Sequence, residues 1–484
     1  MKIYNSLTKI KEEFKPLNPP KVNIYTCGVT VYDECHIGHA RSLYIFDVIR
    51  RYLEYKKFKV NFVRNITDID DKIINRANEL NADWKELVDK YIASYNDDLK
   101  SLGIDKGILD KDKEEPRATK NIPDMIKYIK GLIDKEYAYE SGGDVYFSVR
   151  KFFGYGKLSG QSIDQMLDGV RIESGEKKKD PLDFALWKKS KEEEPSWDSP
   201  WGKGRPGWHI ECSVMSQKFL KADTLDIHAG GRDLIFPHHE NEIAQAEAFT
   251  GKPFTNYWMH HGLLTINGQK MSKSLGNFIT IKDALSKYSP DSLKIFYLQA
   301  HYSSAIDFSD KNIKEAGAAL ERLSIFIDKA ERIEDIAGKG KNILPSTQVF
   351  VDQVNNLENK FVEAMDDDFN TPQALSFLFE MVKEANKCEV LKDGDILYTA
   401  RSIKKLSRIF GLSLKREEID TELKTYIEKK IKEREDARKT KDFKRADDIR
   451  EKLQEKGIVI EDCKEGTTWR KHTAHIEVND ERKP

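Results

Sequence analysis

The stretch CGVTVYDECHIGHARS, Cys27 to Ser42, crowds two cysteines and two histidines into one short segment. His36 and His39 flank Gly38 at the point where a β-rich run turns into a helical one. A glycine there lets a ligand approach the backbone, a helix N-terminus favours phosphate, and neighbouring imidazoles can donate hydrogen bonds to a reacting triphosphate. Far downstream, INGQKMSKSLGN (Ile266 to Asn277) offers Lys270 and Lys273 in a Gly- and Ser-containing loop. Two lysines so placed can close on phosphates and neutralise the charge that develops as pyrophosphate leaves. Each motif alone equally fits two histidines on a surface turn, or an exposed loop.

A metal centre is the second chemistry on offer. His238 and Glu242 stand four apart in FPHHENEIAQ, so on a helix their side chains share one face and can meet a single ion. Cys27 and Cys212, each placed by the sequence at a strand end, can add two thiolates, and a set of two sulfurs, one nitrogen and one oxygen suits tetrahedral zinc. Spacing leaves alternatives open: His209 with Cys212, His239, Cys35 with His39, or a purely structural helix. Five cysteines (Cys27, Cys35, Cys212, Cys388, Cys463) are few and odd in number, which argues against a disulfide framework.

The elements that must position these groups read as a doubly wound α/β unit. VNIYTCGVTV is a strand ending in a turn, and the helix after it places Leu43, Phe46, Ile49 and Leu53 on one face. KVNFVRNI is the next strand and TDIDDKIINRANEL the next helix. In such folds ligands sit beyond the carboxyl ends of the strands, where the opening stretch lies. From about 116 to 205 the pattern loosens into an insertion, and the core resumes with WHIECSVM, LDIHAGG and FPHHENEIAQAEAF, Pro237 suiting a first helical turn. The expected division is a Rossmann-like catalytic domain over 1–310, a helical bundle over 311–420, and a small mixed α/β domain over 421–484.

HIGH and KMSKS together are the two signatures of class I aminoacyl-tRNA synthetases. The resemblance is closer than the class. YTCGVTVYDECHIGHARS, NITDIDDKII, GRPGWHIECS, FPHHENEIAQ, KMSKSLGN, AMDDDFNTPQAL and the ending GIVIEDCKEGTTW occur in the order found in bacterial cysteinyl-tRNA synthetases, across essentially the whole chain. That resemblance implies attack of the L-cysteine carboxylate on the α-phosphorus of ATP, then transfer from the adenylate to the terminal ribose of tRNA(Cys). It implies a zinc ion on Cys27, Cys212, His238 and Glu242 that takes the substrate sulfur as an added ligand. Zinc binds thiolate well and a serine hydroxyl poorly, whereas a methylene-sized difference in an apolar pocket is worth only roughly 1 to 3 kcal/mol, so editing is not needed. His36, Gly38, His39 and Lys273 fall on the phosphates, Lys270 assists, and magnesium accompanies ATP. Thr67 and Trp208 line the amino-acid pocket in this reading, although Thr67 also suits a helix cap and Trp208 a core position.

Composition sets the bounds. Hydrophobic residues make up 39% and charged residues 34% of 484, with a formal net charge of -1, so an RNA partner needs a local basic face. No long apolar run or signal-peptide pattern is present, which leads to an expectation of a cytoplasmic protein without a membrane span, and the resemblance implies a monomer. Trp469 and the basic KTKDFKR run are candidates for anticodon contact, and a packed Trp469 is the simpler reading. Two other functions compete: a ligase that passes cysteine from the same adenylate to an amino sugar, and a catalytically silent RNA-binding descendant. The chain beyond 310 opposes the first, and intact HIGH, KMSKS and metal-type residues oppose the second.

Overall fold

The computed structural model describes the chain except residues 105–114, 168–176, 273–274, 338–345, 388–392, 415–420, 457, 464–465 and 472–484. Lys273 and Cys388 lie outside the described residues, as does the side chain of Trp469.

The site is carried by a four-stranded parallel sheet. In chain order its elements are β1 (Lys21–Thr30), α1 (Ile37–Tyr55), β2 (Lys59–Thr67), α2 (Trp208–Leu220), β3 (Leu225–Gly231), α3 (Glu240–Thr250) and β4 (Thr255–His261). Spatially the strands run β4, β3, β1, β2, so the winding direction reverses between β1 and β3. A crevice opens at the carboxyl ends of strands where such a reversal occurs. Cys27 lies near that end of β1, beside a register shift between Thr26 and Val29 in the pairing with β2. Gly28 is required there, because a Cβ would stand 1.5 Å from the Asn65 carbonyl oxygen.

Helix α1 is buried along nearly its whole length, Leu43, Phe46, Ile49 and Leu53 included. It is wedged between the sheet and the helical region. Tyr44 donates to the Phe410 carbonyl at 2.8 Å and Tyr52 to Asp366 at 2.7 Å. Beyond β4 come β5 (Leu264–Ile266), β6 (Gln269–Lys270) and β7 (Ile306–Phe308), a small sheet in which β5 pairs antiparallel with β6 and parallel with β7.

The insertion is a helix (Ile122–Asp134) and a four-stranded antiparallel sheet (Ala138–Ser141, Asp144–Phe147, Phe184–Lys189, Gly204–Pro206). Its core, with Ile129, Phe147 and Trp187, is continuous with Ile210, Met215 and Ala244 of α2 and α3. The helical region contains α4 (Asp310–Ala337), α5 (Gln348–Asp366), α6 (Thr371–Lys387) and α7 (Asp393–Ser407). Three consecutive aspartates dock it on the catalytic part: Asp366 meets Tyr52 and Lys56, Asp367 meets Lys11, and Asp368 accepts from the Tyr4 amide and the Tyr302 hydroxyl. A helix pair (Thr421–Lys439, Phe443–Glu455) and a two-stranded hairpin (Ile458–Cys463, Gly466–Lys471) follow.

Two local expectations are corrected. Cys212 lies inside helix α2, not at a strand end; Ile210 to Ser216 are all buried, so the helical period is erased from the sequence. Pro237 does not open a simple helical turn. The Phe236-Pro237 peptide is cis, Phe236 is extended, and α3 proper starts at Glu240.

Candidate active site

At the switch point, Cys27 of β1, Cys212 of α2, His238 just before α3 and Glu242 within it turn inward together. One donor atom from each lies within 4.8 Å of the others. His238 Nε2 is 2.9 Å from Glu242 Oε1, and Cys27 Sγ is 3.5 Å from the same oxygen. The remaining Glu242 oxygen is 2.6 Å from His228 Nε2 on β3. Cys212, His238 and Glu242 are buried and Cys27 is partly open.

Charges in the cluster are strongly coupled. Burial would raise the Glu242 carboxyl, but His228 and His238 hold it well below the usual range. Burial disfavours a charged His238, and Glu242 and Cys212 nonetheless bring it up to about 10. Cys212, pushed up by burial, is carried down to about 6 by the Cys27 hydrogen bond and by His238. Cys27 goes the other way, raised by burial and then by Cys212. Two sulfurs, an imidazole and a carboxylate are a donor set that fits tetrahedral zinc, and an outer residue such as His228 is what orients a ligating carboxylate.

A second set, Cys27, His228, His239 and Glu242, meets the same distance limit. It offers one sulfur only; its His239 turns Nε2 to Cys27 Sγ at 3.2 Å and holds Nδ1 2.8 Å from His260 Nε2. His209 stands behind His238, their Nδ1 atoms 2.9 Å apart. Cys35 is buried away from the cluster, its thiol raised first by burial and then by Asp98 and Glu34.

Beside the cluster, Trp208 starts α2, is 37% exposed, and stacks on His238 with ring centroids 4.0 Å apart. Thr67 is not a helix cap; Asp70 caps the following helix, and the Thr67 hydroxyl donates to Glu211 at 2.6 Å. Asn65 was not anticipated. It accepts from the Gly28 amide at 2.9 Å, approaches Cys212 Sγ at 3.7 Å and donates to Thr67 at 3.3 Å. An asparagine inside a strand carries no spacing signal that could reveal this, and His228, single in its strand, carries none either.

The HIGH turn is built from its own side chains. His36 Nδ1 accepts from the amides of Gly38 and His39 at 3.1 and 3.2 Å, His39 Nδ1 accepts from the His36 amide at 3.3 Å, and the two rings stack 3.6 Å apart. This is a capping box made of two imidazoles. Because both Nδ1 atoms accept, both rings carry their proton on Nε2. Burial pushes His36 down to about 4, and burial together with His36 lowers His39 well below its usual value, so both are neutral donors at pH 7.

The lysine loop comes back to the same place. Met271 faces Gly38, where a Cβ would meet its methyl at 3.4 Å, and Phe278 sets its edge against His36. Asn277 accepts from the Ser272 amide and donates to the Lys270 carbonyl, closing the loop around the described part of KMSKS. Lys270 is exposed. Distant from all this, the KTKDFKR turn between the last two helices exposes Phe443 at 61%.

A parallel sheet with this switch point is the fold of class I synthetases. The structure is similar to Mycobacterium tuberculosis methionyl-tRNA synthetase in complex with methionyl-adenylate (TM-score 0.58, 13% identity, 81% of this chain and 89% of that one). It is also similar to a LeuRS-tRNA-LeuAMS ternary complex from Agrobacterium radiobacter (TM-score 0.58, 10% identity, 83% and 86%). Residues 13–318 match the tRNA synthetases class I (C) catalytic domain, 360–415 a DALR domain, and 420–470 the cysteinyl-tRNA ligase anticodon binding domain. Proteins named cysteine--tRNA ligase from Thermodesulfovibrio yellowstonii, Geobacillus thermodenitrificans and Aquifex aeolicus are 52%, 48% and 48% identical, each over 97% of this chain and 99% of the relative. The chain belongs to the bacterial class I cysteinyl-tRNA synthetase family, and with it to the ligases.

Proposed function

We propose that the protein activates L-cysteine with ATP to cysteinyl-adenylate and pyrophosphate and transfers the cysteine to the 3′ end of tRNA(Cys). The observation that carries this reading is the convergence of Cys27, Cys212, His238 and Glu242 within 4.8 Å at the switch point of the sheet. Nine positions further along from Cys27 stands His36, so thiol recognition and phosphate binding share one strand end and its loop. Zinc held by these four residues supplies a ligand position for the substrate sulfur, which a serine hydroxyl fills poorly.

The remaining steps are the work of side chains. Trp208, stacked on His238, and Thr67, fixed by Glu211, wall the amino-acid pocket. The Nε2–H groups of His36 and His39 donate to the triphosphate at the N-terminus of α1, with Gly38 leaving the backbone open to it. Lys270 and Lys273 neutralise the departing pyrophosphate, and magnesium enters with ATP. No covalent enzyme intermediate is needed; catalysis is positioning and charge stabilisation.

We assign 1–310 to catalysis, 311–420 to the helical anticodon-binding domain and 421–484 to a further anticodon contact, where Phe443 among lysines supports base stacking. Relatives that match 97% of the chain under the name cysteine--tRNA ligase favour tRNA over an amino sugar as acceptor. A cytoplasmic monomer completes the proposal; among the described residues no helix is long and apolar enough to cross a membrane. The test is amino-acid-dependent ATP and pyrophosphate exchange with cysteine and serine, before and after metal removal, followed by tRNA(Cys) charging. Cysteine alone supports exchange, removal of the metal abolishes it, and charging follows. Equal exchange with serine, or exchange untouched by metal loss, overturns the reading.

A further inference from the structure

Arg41 stands two positions beyond His39 on α1 and is fully buried. Its guanidinium pairs with no carboxylate among the described residues. Instead Nη1 donates to the carbonyls of Gly262 and Leu263, both at 2.9 Å, and Nη2 to those of Tyr302 at 3.3 Å and Ser304 at 2.5 Å. Gly262 and Leu263 are the whole link between β4 and β5, and Tyr302 to Ser304 lead into β7. One side chain thus ties two chain crossings at the root of the sheet whose third strand, β6, ends in Lys270.

The junction has little room to slide. The Gly262 amide donates to the Tyr302 carbonyl at 2.9 Å, and a Cβ at 262 would stand 2.1 Å from the Ser304 oxygen. Tyr302 is anchored on its far side, its hydroxyl donating to Asp368 at 2.9 Å. A buried cation is costly unless its donors are satisfied; Nη1 and Nη2 are, Nε has no partner among the described residues, and a planar fork that meets four carbonyls fixes orientation as well as distance. An ammonium at the same place has three donors and no fork. Burial lowers Arg41 to about 10, and it remains charged at neutral pH.

We infer that Arg41 is a positioning residue, holding the His36 and His39 turn of α1 in register with the small sheet that carries the KMSKS loop, and acting on the ATP-dependent step through that register. Fully buried and spent on carbonyls, its side chain has no surface open to a substrate. The inference rests on the adenylate-forming activity proposed above.

The test is Arg41→Lys in the full-length, metal-loaded protein, with cysteine-dependent exchange normalised to active sites titrated by adenylate formation. The expected result is a rise of about tenfold or more in KM for ATP or an equal fall in kcat per active site, with KM for cysteine within twofold of the parent. A purely structural role lowers the number of active sites and leaves both constants of the survivors unchanged. Hydrogen exchange of residues 262–266 and 302–308 in the free protein should quicken in the variant, a readout independent of turnover. Gly262→Ala, which forces the junction apart while keeping Arg41, should give the same pattern. Parent-like constants per active site in Arg41→Lys overturn the inference, and so does failure of both variants to fold, which makes Arg41 a residue of the fold alone. A parent without cysteine-dependent exchange is a different failure: it removes the activity reading itself, and is seen before any variant is compared.

Discussion

The Ile37 amide donates to the Ile279 carbonyl at 3.1 Å. The Ile281 amide likewise meets the Cys35 carbonyl at 2.8 Å, and His36 bridges Thr280, so the start of the HIGH helix and the chain leaving the lysine loop form one short ribbon of backbone. The exit of the lysine loop is therefore tied to the HIGH turn by main-chain bonds, whereas its entry through β5 and β6 is tied to α1 by the Arg41 side chain.

His36→Asn separates two duties of one ring. Asparagine is among the best N-caps and keeps the acceptor that Nδ1 provides, so stability should stay within about 0.5 kcal/mol of that of the parent. The Nε2–H is lost, and kcat for exchange should fall about 10²- to 10³-fold. Thermal unfolding and exchange on the same preparation check this.

Gly38→Ala should be harmless to stability and harmful to activity. A Cβ at 38 would lie 2.9 Å from His36 Cε1 and 3.0 Å from Nδ1, so the ring must shift and its cap on the Gly38 and His39 amides weakens. Alanine in a helix gains about 0.5–1 kcal/mol over glycine, which offsets the weakened cap, so the melting temperature should change little while exchange drops at least about tenfold. A fall in melting temperature with full exchange would contradict the packing described for this turn.

Metal retention should depend on His228 as well as on the four inner residues. Cys212→Ala should leave no metal after dialysis. His228→Gln, which removes the partner of the outer Glu242 oxygen, should weaken retention about 10- to 100-fold and raise KM for cysteine, not for ATP. Metal content against chelator concentration gives the answer.

Acid should destabilise the protein through the HIGH turn. His36 titrates at about 4 when folded because burial disfavours its charge, against about 6.5 for an exposed imidazole. Between those values the unfolded chain binds the proton and the folded chain does not, so stability is full above about pH 6.5 and is lost as pH falls toward 4. The melting temperature of the parent should drop over this window, and the slope should be shallower in His36→Asn.

Phe443→Ala should act on RNA alone. A base stacked on an aromatic ring contributes about 1–3 kcal/mol, so kcat/KM for charging should fall about tenfold. Cysteine-dependent exchange, which involves no tRNA, should be unchanged.

Much of this was legible in the chain because short-range chemistry wrote it there. The glycine between His36 and His39, the β-rich run VNIYTCGVTV and the four-residue step from His238 to Glu242 are local patterns, and they placed the strand, the turn and one face of the metal cluster. Where burial is uniform the pattern fails: α2 is enclosed around Cys212, and its helix left no period to read. The cis bond before Pro237 was equally hidden, since a proline before a helix has the same letters in either isomer.

The sequence by itself determined the family, the parallel α/β core and the candidate ligands, since each rests on residue types at fixed spacings or on blocks in a fixed order. The tertiary structure decided which side chains meet. Only the folding of β1, β3, α2 and α3 around one switch point brings Cys27 and Cys212 to His238 and Glu242, sets His228 behind the carboxylate, and leaves Cys35 buried elsewhere. Only there do Arg41 and four distant carbonyls become neighbours. Hydrogen bonds and metal coordination act over about 3 Å, and separation along the chain says nothing about distance at that scale once the chain has crossed a sheet.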